Sequence, residues 1–166
     1  MKKLKMISLL LFLWLPISVW ALEYPTLHYD KAIVYDLTDD KVLYELKDTE
    51  KAHVASLTKI LTTITAIESI DNLDDMITYT ENMKALVRWD ASVAGLSVGD
   101  KVSYRDLLYA SILPSGADAT TALAVSTSGS ISNFVKKMNE EASKIGMSNS
   151  HFVNVTGLDD DDHYST

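Results

Sequence analysis

The sequence predicts an α+β domain in which an antiparallel β-hairpin precedes a mostly helical region. Two β-rich runs, residues 32–37 and 41–46, are separated by the turn residues Thr38, Asp39 and Asp40, which is the pattern of a hairpin. After the hairpin, apolar residues recur with helical rather than strand periodicity. Strands followed by a run of helices indicate the α+β class.

The first predicted helix covers residues 57–67. Its apolar stripe repeats at i, i+3, i+4, i+7 and i+10 and consists of Leu57, Ile60, Leu61, Ile64 and Ile67. The opposite face carries Thr58, Thr62, Thr63 and Thr65 in place of charged residues. We therefore expect the apolar stripe to be buried and little of this helix to face water.

Two further helices are predicted before residue 114. A short one lies near residues 81–89. Ser103 and Asp106 have the Ser-x-x-Asp spacing of a capping signature, which predicts that the next helix starts directly after Ser103. That helix must end before Pro114, because the residue preceding a proline avoids helical dihedral angles.

The last two predicted helices fill residues 115–145. The first begins near Ser115 or Asp118 and runs through an alanine-rich stretch to residue 129. The second spans roughly residues 132–145 and is closed by Gly146. Its inward face consists of Phe134, Val135, Met138 and Ala142.

The amino terminus has the pattern of a secretory signal peptide. Lys2, Lys3 and Lys5 precede an apolar stretch, residues 6–20, and a Val-x-Ala sequence ends at Ala21. The apolar stretch has 15 residues, fewer than the roughly 20 that span a bilayer. We expect residues 1–21 to be cleaved, with an uncleaved anchor as the alternative.

The composition excludes several classes of function. Removing residues 1–21 would take away three lysines and no acidic residue, so the net charge would change from −8 to −11. Such an acidic domain is not expected to bind nucleic acid. Without cysteine there is neither a disulfide framework nor a thiolate ligand, and the four histidines lack a close ligand spacing. We expect no metal and no cofactor.

Ser56 and Lys59 are the candidate catalytic pair. Residues three apart on a helix share a face, so the amine of Lys59 can take the proton of the Ser56 hydroxyl. A lysine acts as a base near neutral pH only when its pKa is far below the usual value of about 10.4, and burial in a nearly uncharged helix lowers it. Backbone N–H groups at the helix start would stabilise negative charge next to Ser56.

Three segments, in this order, carry a resemblance to a known family. They are "ASLTKILT" after the hairpin, "LLYASILPSGADATTALA" about sixty residues later, and "HFVNVTGLDDDDHYST" at the end. Together they resemble the D-alanyl-D-alanine carboxypeptidases, the low-molecular-mass penicillin-binding proteins, over residues 31–166. The last segment matches the family's Phe-x-Asn-x-x-Gly-Leu pattern with Phe152, Asn154, Gly157 and Leu158.

The resemblance implies a penicillin-binding-protein-like fold and a reaction. The fold is an antiparallel sheet with flanking helices plus a mostly helical lobe, with the active site between them. Ser56 would be the acylated nucleophile, Lys59 its general base and Ser115 a proton relay to the leaving amine, while Gly116 and Ala117 would contact substrate. The implied substrate is the D-Ala-D-Ala end of a peptidoglycan stem peptide, β-lactams would acylate the same serine, and the protein would be exported to the cell envelope.

Two features depart from the family pattern. The second motif, Ser-x-Asn in the family, reads Ser115-Gly116-Ala117 here, so Asp118 or a water would have to replace the missing amide. The third motif, Lys-Thr-Gly, does not occur in the sequence. We therefore expect residues 22–166 to be the N-terminal part of a transpeptidase-like serine peptidase domain, truncated before its closing strands, and to turn over weakly or not at all.

Other classes of protein remain possible at this point. A class A β-lactamase shares the first motif, but its Glu-x-x-Leu-Asn string does not occur here. A non-catalytic envelope protein that binds wall peptide or a partner would account for Ala117. A structural or adhesive secreted domain would be favoured if the helix face around Lys59 were fully exposed. Membrane association is expected only through an uncleaved signal or an anchor after Thr166.

Overall fold

The computed structural model describes residues 28–166, and its elements follow the predicted order of a hairpin and then helices. The strands are β1 (Ala32–Asp36), β2 (Lys41–Leu46), β3 (Met76–Thr78) and β4 (Lys101–Ser103), and the helices are α1 (Thr58–Glu68), α2 (Glu81–Ala85), α3 (Tyr104–Ile112), α4 (Ala117–Ser128) and α5 (Ile131–Lys144), with a 3₁₀ turn at Ala55–Leu57. The predicted signal peptide, residues 1–21, lies outside the described residues. Within residues 28–166, every helix is too short or too polar to cross a membrane.

The predicted hairpin is confirmed. β1 pairs antiparallel with β2, with Ala32 opposite Leu46 and Asp36 opposite Lys41. The Asp36 carboxylate closes the turn by accepting the N–H of Thr38 at 2.8 Å. The pairing of β1 with β2 shifts register between Val34 and Tyr35. Such an irregularity bends a hairpin.

A second small sheet was not predicted from the sequence. β3 and β4 pair antiparallel with Ile77 opposite Val102. Each strand has three residues, too few to show the alternation on which sequence recognition of a strand depends. This sheet places the start of α3 beside the chain that follows α1.

Helix α4 is the centre of the fold. Its residues from Ala117 to Ala124 are all buried, and it contacts α1, α2, α3 and α5. The helix carries alanines and threonines almost throughout this stretch, and a helix without a polar face is one that is surrounded by protein. The other helices are therefore arranged around α4.

The buried face of α1 differs from the prediction. Of the apolar stripe only Leu61 is buried, whereas Ile60 is 54% and Ile64 37% exposed. The threonine face packs inward instead, with Thr58 and Thr62 at 1% and 0% exposure. The expectation that little of α1 faces water is thus wrong for the described residues, because threonine is small and its hydroxyl can bond to neighbouring groups when buried.

The predicted ends of α3, α4 and α5 agree with the structure. The Ser103 hydroxyl accepts the Asp106 N–H at 3.1 Å, and the Asp106 carboxylate accepts the Ser103 N–H at 3.4 Å, which is a complete capping box. α4 starts between the two predicted positions. In α5, Phe134 and Met138 are fully buried as predicted, and Gly146 closes the helix with a φ of 86°.

Asp118, in the first turn of α4, holds a loop against the helix. Its carboxylate is 3% exposed and accepts the N–H groups of Ala94, Gly95 and Leu96 at 2.8, 2.9 and 2.9 Å. It also accepts the N–H of Ala119 at 2.9 Å. Both oxygens are therefore in use, and Asp118 does not replace the amide that is missing at position 117.

Replacing Asp118 should destabilise the fold. In Asp118→Asn one oxygen becomes an amino group that faces an N–H donor of the loop. We expect the free energy of unfolding, measured by urea denaturation of the complete gene product, to fall by about 1.5–3 kcal/mol. Asp74→Asn is the matched control, because Asp74 pairs with Arg105 at 2.9 Å on the exposed surface, where an ion pair contributes little to stability, so this variant should lose much less unfolding free energy than Asp118→Asn. Equal losses in the two variants would contradict this role of Asp118.

Candidate active site

Ser56 lies in a turn of unusual backbone geometry directly before α1. The turn is the 3₁₀ segment Ala55–Leu57, and Ala55 has a φ of 45°. A positive φ is disfavoured for a residue with a Cβ atom and occurs preferentially where surrounding structure enforces it. The Ser56 side chain is exposed, so it can be reached from solvent.

The Lys59 amine is next to Ser56, as the spacing predicts. Lys59 is 5% exposed, and its Nζ donates to Ser56 Oγ at 3.1 Å and to the carbonyl oxygen of Thr156 at 2.6 Å. Burial lowers the pKa of Lys59 from its usual 10.5, because the charged form loses its hydration. A structural or adhesive domain, for which a fully exposed helix face around Lys59 was the criterion, is therefore not favoured, because Thr58 and Thr62 next to Lys59 are buried as well.

Ser115 brings a third polar group to the same place. It follows Pro114, after which α3 cannot continue, and its φ of 59° turns the chain toward Ser56. The Ser115 hydroxyl donates to Ser56 Oγ at 2.7 Å. The structure thus brings together Ser56, Lys59 and Ser115, although Ser115 lies 59 residues from Ser56 in the sequence.

Gly116 and Ala117, the predicted substrate contacts, are buried. The Gly116 N–H donates to the Ala110 carbonyl at 3.0 Å, and the Ala117 N–H donates to the Ser92 carbonyl at 2.7 Å. Neither N–H is therefore left to bond a ligand. A Cβ on Gly116 would lie 2.6 Å from the Ala110 oxygen, so a glycine is required for the close approach of α3.

The carbonyl that holds Lys59 belongs to Thr156, a residue to which the sequence assigned no role, although it lies inside the matched Phe-x-Asn-x-x-Gly-Leu segment. Asn154 Oδ1 accepts the N–H groups of Thr156 and Gly157 at 3.1 and 2.7 Å, and Asn154 Nδ2 donates to the Leu158 carbonyl at 2.8 Å. This turn aims the Thr156 carbonyl at Lys59 Nζ. A backbone carbonyl has no residue signature, but the matched Phe-x-Asn-x-x-Gly-Leu segment is the signal that could have located it.

A cavity of about 350 Å³ opens beside these groups. Its lining includes Ser56, Lys59, Arg88, Asp90, Thr156 and Gly157. Arg88 and Asp90 form a two-pronged ion pair at the edge, with Nη2 to Oδ2 at 2.7 Å and Nε to Oδ1 at 3.1 Å. The cavity is therefore polar, and its lining includes both the Ser56 hydroxyl and the buried Lys59 amine.

Comparison with known proteins places the chain in a family. Residues 19–166 match the family model described as D-alanyl-D-alanine carboxypeptidase. The D-alanyl-D-alanine carboxypeptidase DacC of Escherichia coli is 36% identical to this chain over an alignment 169 residues long. The alignment covers 96% of this chain and 42% of that protein. The chain thus spans less than half the length of this relative.

Two solved structures are similar in fold. Penicillin binding protein 5 from Haemophilus influenzae has a TM-score of 0.79 at 30% identity, over 88% of this chain and 44% of that one. The Streptomyces K15 DD-transpeptidase has a TM-score of 0.82 at 32% identity, over 87% of this chain and 58% of that one. The predicted penicillin-binding-protein-like α+β fold is confirmed, and with the family match the chain belongs to the D-alanyl-D-alanine carboxypeptidase family.

Proposed function

We propose that this chain carries the acylation machinery of a serine-type D-Ala-D-Ala carboxypeptidase that acts on peptidoglycan stem peptides. The observation that carries the proposal is the position of Ser56 Oγ, 3.1 Å from Lys59 Nζ and 2.7 Å from Ser115 Oγ. A hydroxyl next to a buried amine is the arrangement of an activated nucleophile. The family match supplies the substrate class.

In the proposed acylation, neutral Lys59 takes the proton of Ser56 Oγ as the oxygen attacks the peptide carbonyl between two D-alanines. The Thr156 carbonyl accepts one N–H of the amine, which leaves the lone pair of the amine free to turn toward Ser56. When the tetrahedral intermediate collapses, the C–N bond breaks and D-alanine leaves with a proton delivered through Ser115. The product is an ester on Ser56, and β-lactams would form the equivalent ester.

Deacylation needs a second nucleophile. Water would complete a carboxypeptidase reaction, and an amine would complete a transpeptidation, the activity named for the Streptomyces K15 relative. At position 117 only a methyl group is present and Asp118 is engaged by the loop at residues 94–96. We therefore propose that the 166 residues alone turn over substrate weakly or not at all.

A non-catalytic protein of this fold that binds cell-wall peptide or a partner is the second candidate. Ala117 favours it, because an alanine cannot hydrogen-bond to a substrate amide. Covalent labelling by fluorescent penicillin distinguishes the candidates: a label on Ser56 supports the enzyme, and no label on the folded, complete gene product supports the binding protein. In either case we propose export to the cell envelope, directed by residues 1–21.

Ser56→Ala should abolish covalent labelling by fluorescent penicillin. The other hydroxyl at the site, that of Ser115, is bonded to Ser56 Oγ, whereas the Lys59 amine is bonded to Ser56 itself. Labelling is measured on denaturing gels with the purified gene product. Ser132→Ala, an exposed serine on α5, is the control and should label normally. Label that persists in Ser56→Ala would assign the nucleophile to another residue.

Lys59→Ala should slow acylation by about 10²-fold or more, the usual contribution of a general base. In the unmodified protein the rate should rise with pH and level off once Lys59 is neutral. Because burial lowers the pKa of Lys59 from 10.5, the plateau should begin below that pH. Lys136→Ala, at an exposed lysine on α5, should retain the full rate and pH profile. A rate without pH dependence, or normal labelling of Lys59→Ala, would exclude Lys59 as the base.

Gly157 allows the turn at residues 154–158 to approach the nucleophile turn. Its φ is 83°, and a Cβ there would lie 1.8 Å from the carbonyl oxygen of Ala55. Two backbone segments would have to move apart to admit a methyl group. Such a movement would separate the Thr156 carbonyl from Lys59.

Gly157→Ala should therefore lose most covalent labelling as well as stability. Gly146→Ala is the matched control, because Gly146 has a φ of 86° and nothing within 4 Å of its Cβ position. The control should cost about 1–2 kcal/mol of unfolding free energy, the price of positive φ alone, and keep its labelling rate. If both variants label equally, the close approach at Gly157 is not required for acylation.

A further inference from the structure

His163 differs in its environment from the other histidines of the described residues. It is 1% exposed, whereas His28, His53 and His151 are exposed. Its ring packs edge-on against Phe152, with ring centroids 5.4 Å apart. A buried imidazole needs a partner for each ring nitrogen, and both partners are present.

The partners of His163 fix the position of its proton. The Val153 N–H donates to Nδ1 at 3.2 Å, and because an N–H can only donate, Nδ1 carries no hydrogen. A neutral ring must then carry its hydrogen on Nε2, which lies 2.7 Å from Thr58 Oγ1. The Nε2–H therefore donates to Thr58.

These two bonds join the parts of the chain that form the candidate site. Thr58 lies between Ser56 and Lys59 at the start of α1, and Val153 begins the segment that ends at the Thr156 carbonyl. A second bond between the same two parts runs from Thr62 Oγ1 to the Val155 carbonyl at 3.0 Å. His163 thus links the start of α1 to residues 153–156. Its contact on α1, Thr58, directly follows the turn that holds Ser56.

We propose that His163, as a neutral imidazole protonated on Nε2, is a positioning residue for acylation that keeps the Thr156 carbonyl on Lys59 Nζ. The inference rests on the proposed function, because the step it affects is acylation of Ser56. His163 itself touches none of the reacting atoms. Its effect passes through Thr58 on one side and through residues 153–156 on the other.

This link through His163 should respond to pH. Protonation of His163 places a hydrogen on Nδ1, opposite the Val153 N–H, so that this bond is lost and the segment is pushed away from α1. Burial lowers the pKa of His163 from 6.5, so the cation forms only below the ordinary histidine range. The charged groups around it act in both directions, since Asp160 and Asp159 raise its pKa and His151 and His53 lower it. The link is therefore intact at neutral pH and lost on acidification.

The test combines acylation rates with a direct measurement of the imidazole, on the complete gene product. In ¹⁵N NMR at pH 7, His163 should be neutral with its proton on Nε2. The acylation rate by fluorescent penicillin should fall on the acid side with two protonations, one at Lys59 and a second below about pH 6.5 at His163. A proton on Nδ1, or a charged ring at pH 7, would overturn the proposal whatever the rates are.

The variants separate positioning from general stability. His163→Leu, which removes both bonds, should acylate about tenfold more slowly at pH 7.5, because the segment that carries the Thr156 carbonyl is then no longer tied to Thr58 through the ring. His163→Gln, which still donates to Thr58 and does not titrate, should recover most of the rate and show one acid-side protonation. Phe134→Leu, at a buried residue of α5, controls for stability. Its acylation rate should still show both acid-side protonations, even if its melting temperature falls as much as that of His163→Leu.

Two variants of Thr58 keep the test decisive if His163→Leu does not fold. Thr58→Ser retains the acceptor and should acylate normally, whereas Thr58→Val, of the same shape without a hydroxyl, should be as slow as His163→Leu. Combining Thr58→Val with His163→Leu should bring no further loss. Normal rates in Thr58→Val, or a second protonation that persists in His163→Gln, would overturn the positioning role alone. Absence of label in the unmodified protein would instead overturn the proposed function and with it this role.

Discussion

The candidate site depends on a lysine amine that is removed from water beside a serine hydroxyl. Taking an ammonium ion out of water costs several kcal/mol, so burial at 5% exposure favours the neutral amine. That amine stays in place because the Thr156 carbonyl, 2.6 Å away, accepts one of its hydrogens. The turn at residues 154–158 is shaped to deliver this carbonyl, and Gly157 permits its approach to Ala55. Most of the geometry around Ser56 serves this one contact.

Threonines on α1 reconcile a packed interior with a polar site. Thr62 at 0% exposure bonds the Val155 carbonyl, and Thr58 at 1% bonds His163. A purely apolar face would have packed as well but could not have held the segment at residues 153–156 by hydrogen bonds. The face that carries Ile60 and Ile64 is left exposed in the described residues. Helix α1 is therefore anchored through its polar side.

Position 117, the third residue of the second motif, carries alanine where the family pattern has asparagine. Ala117 is buried and its N–H is bonded to the Ser92 carbonyl, so the backbone at this position is held in place without the amide side chain. Asp118 next to it holds the loop at residues 94–96 through three N–H groups. The backbone next to Ser115 is thus held by bonds that need no polar side chain at position 117.

The sequence by itself determined the local structure: the hairpin, the capping box at Ser103 and Asp106, the end of α5 at Gly146, and the pairing of Ser56 with Lys59 one helical turn apart. Each of these depends on residues close in the chain, whose spacing fixes the geometry. The tertiary structure alone decided which face of α1 is buried, brought Ser115 to Ser56 across 59 residues, and aimed the Thr156 carbonyl and the His163 ring at the same helix. Those contacts depend on how distant segments pack, and a backbone carbonyl or a tautomer leaves no periodic signal in the sequence.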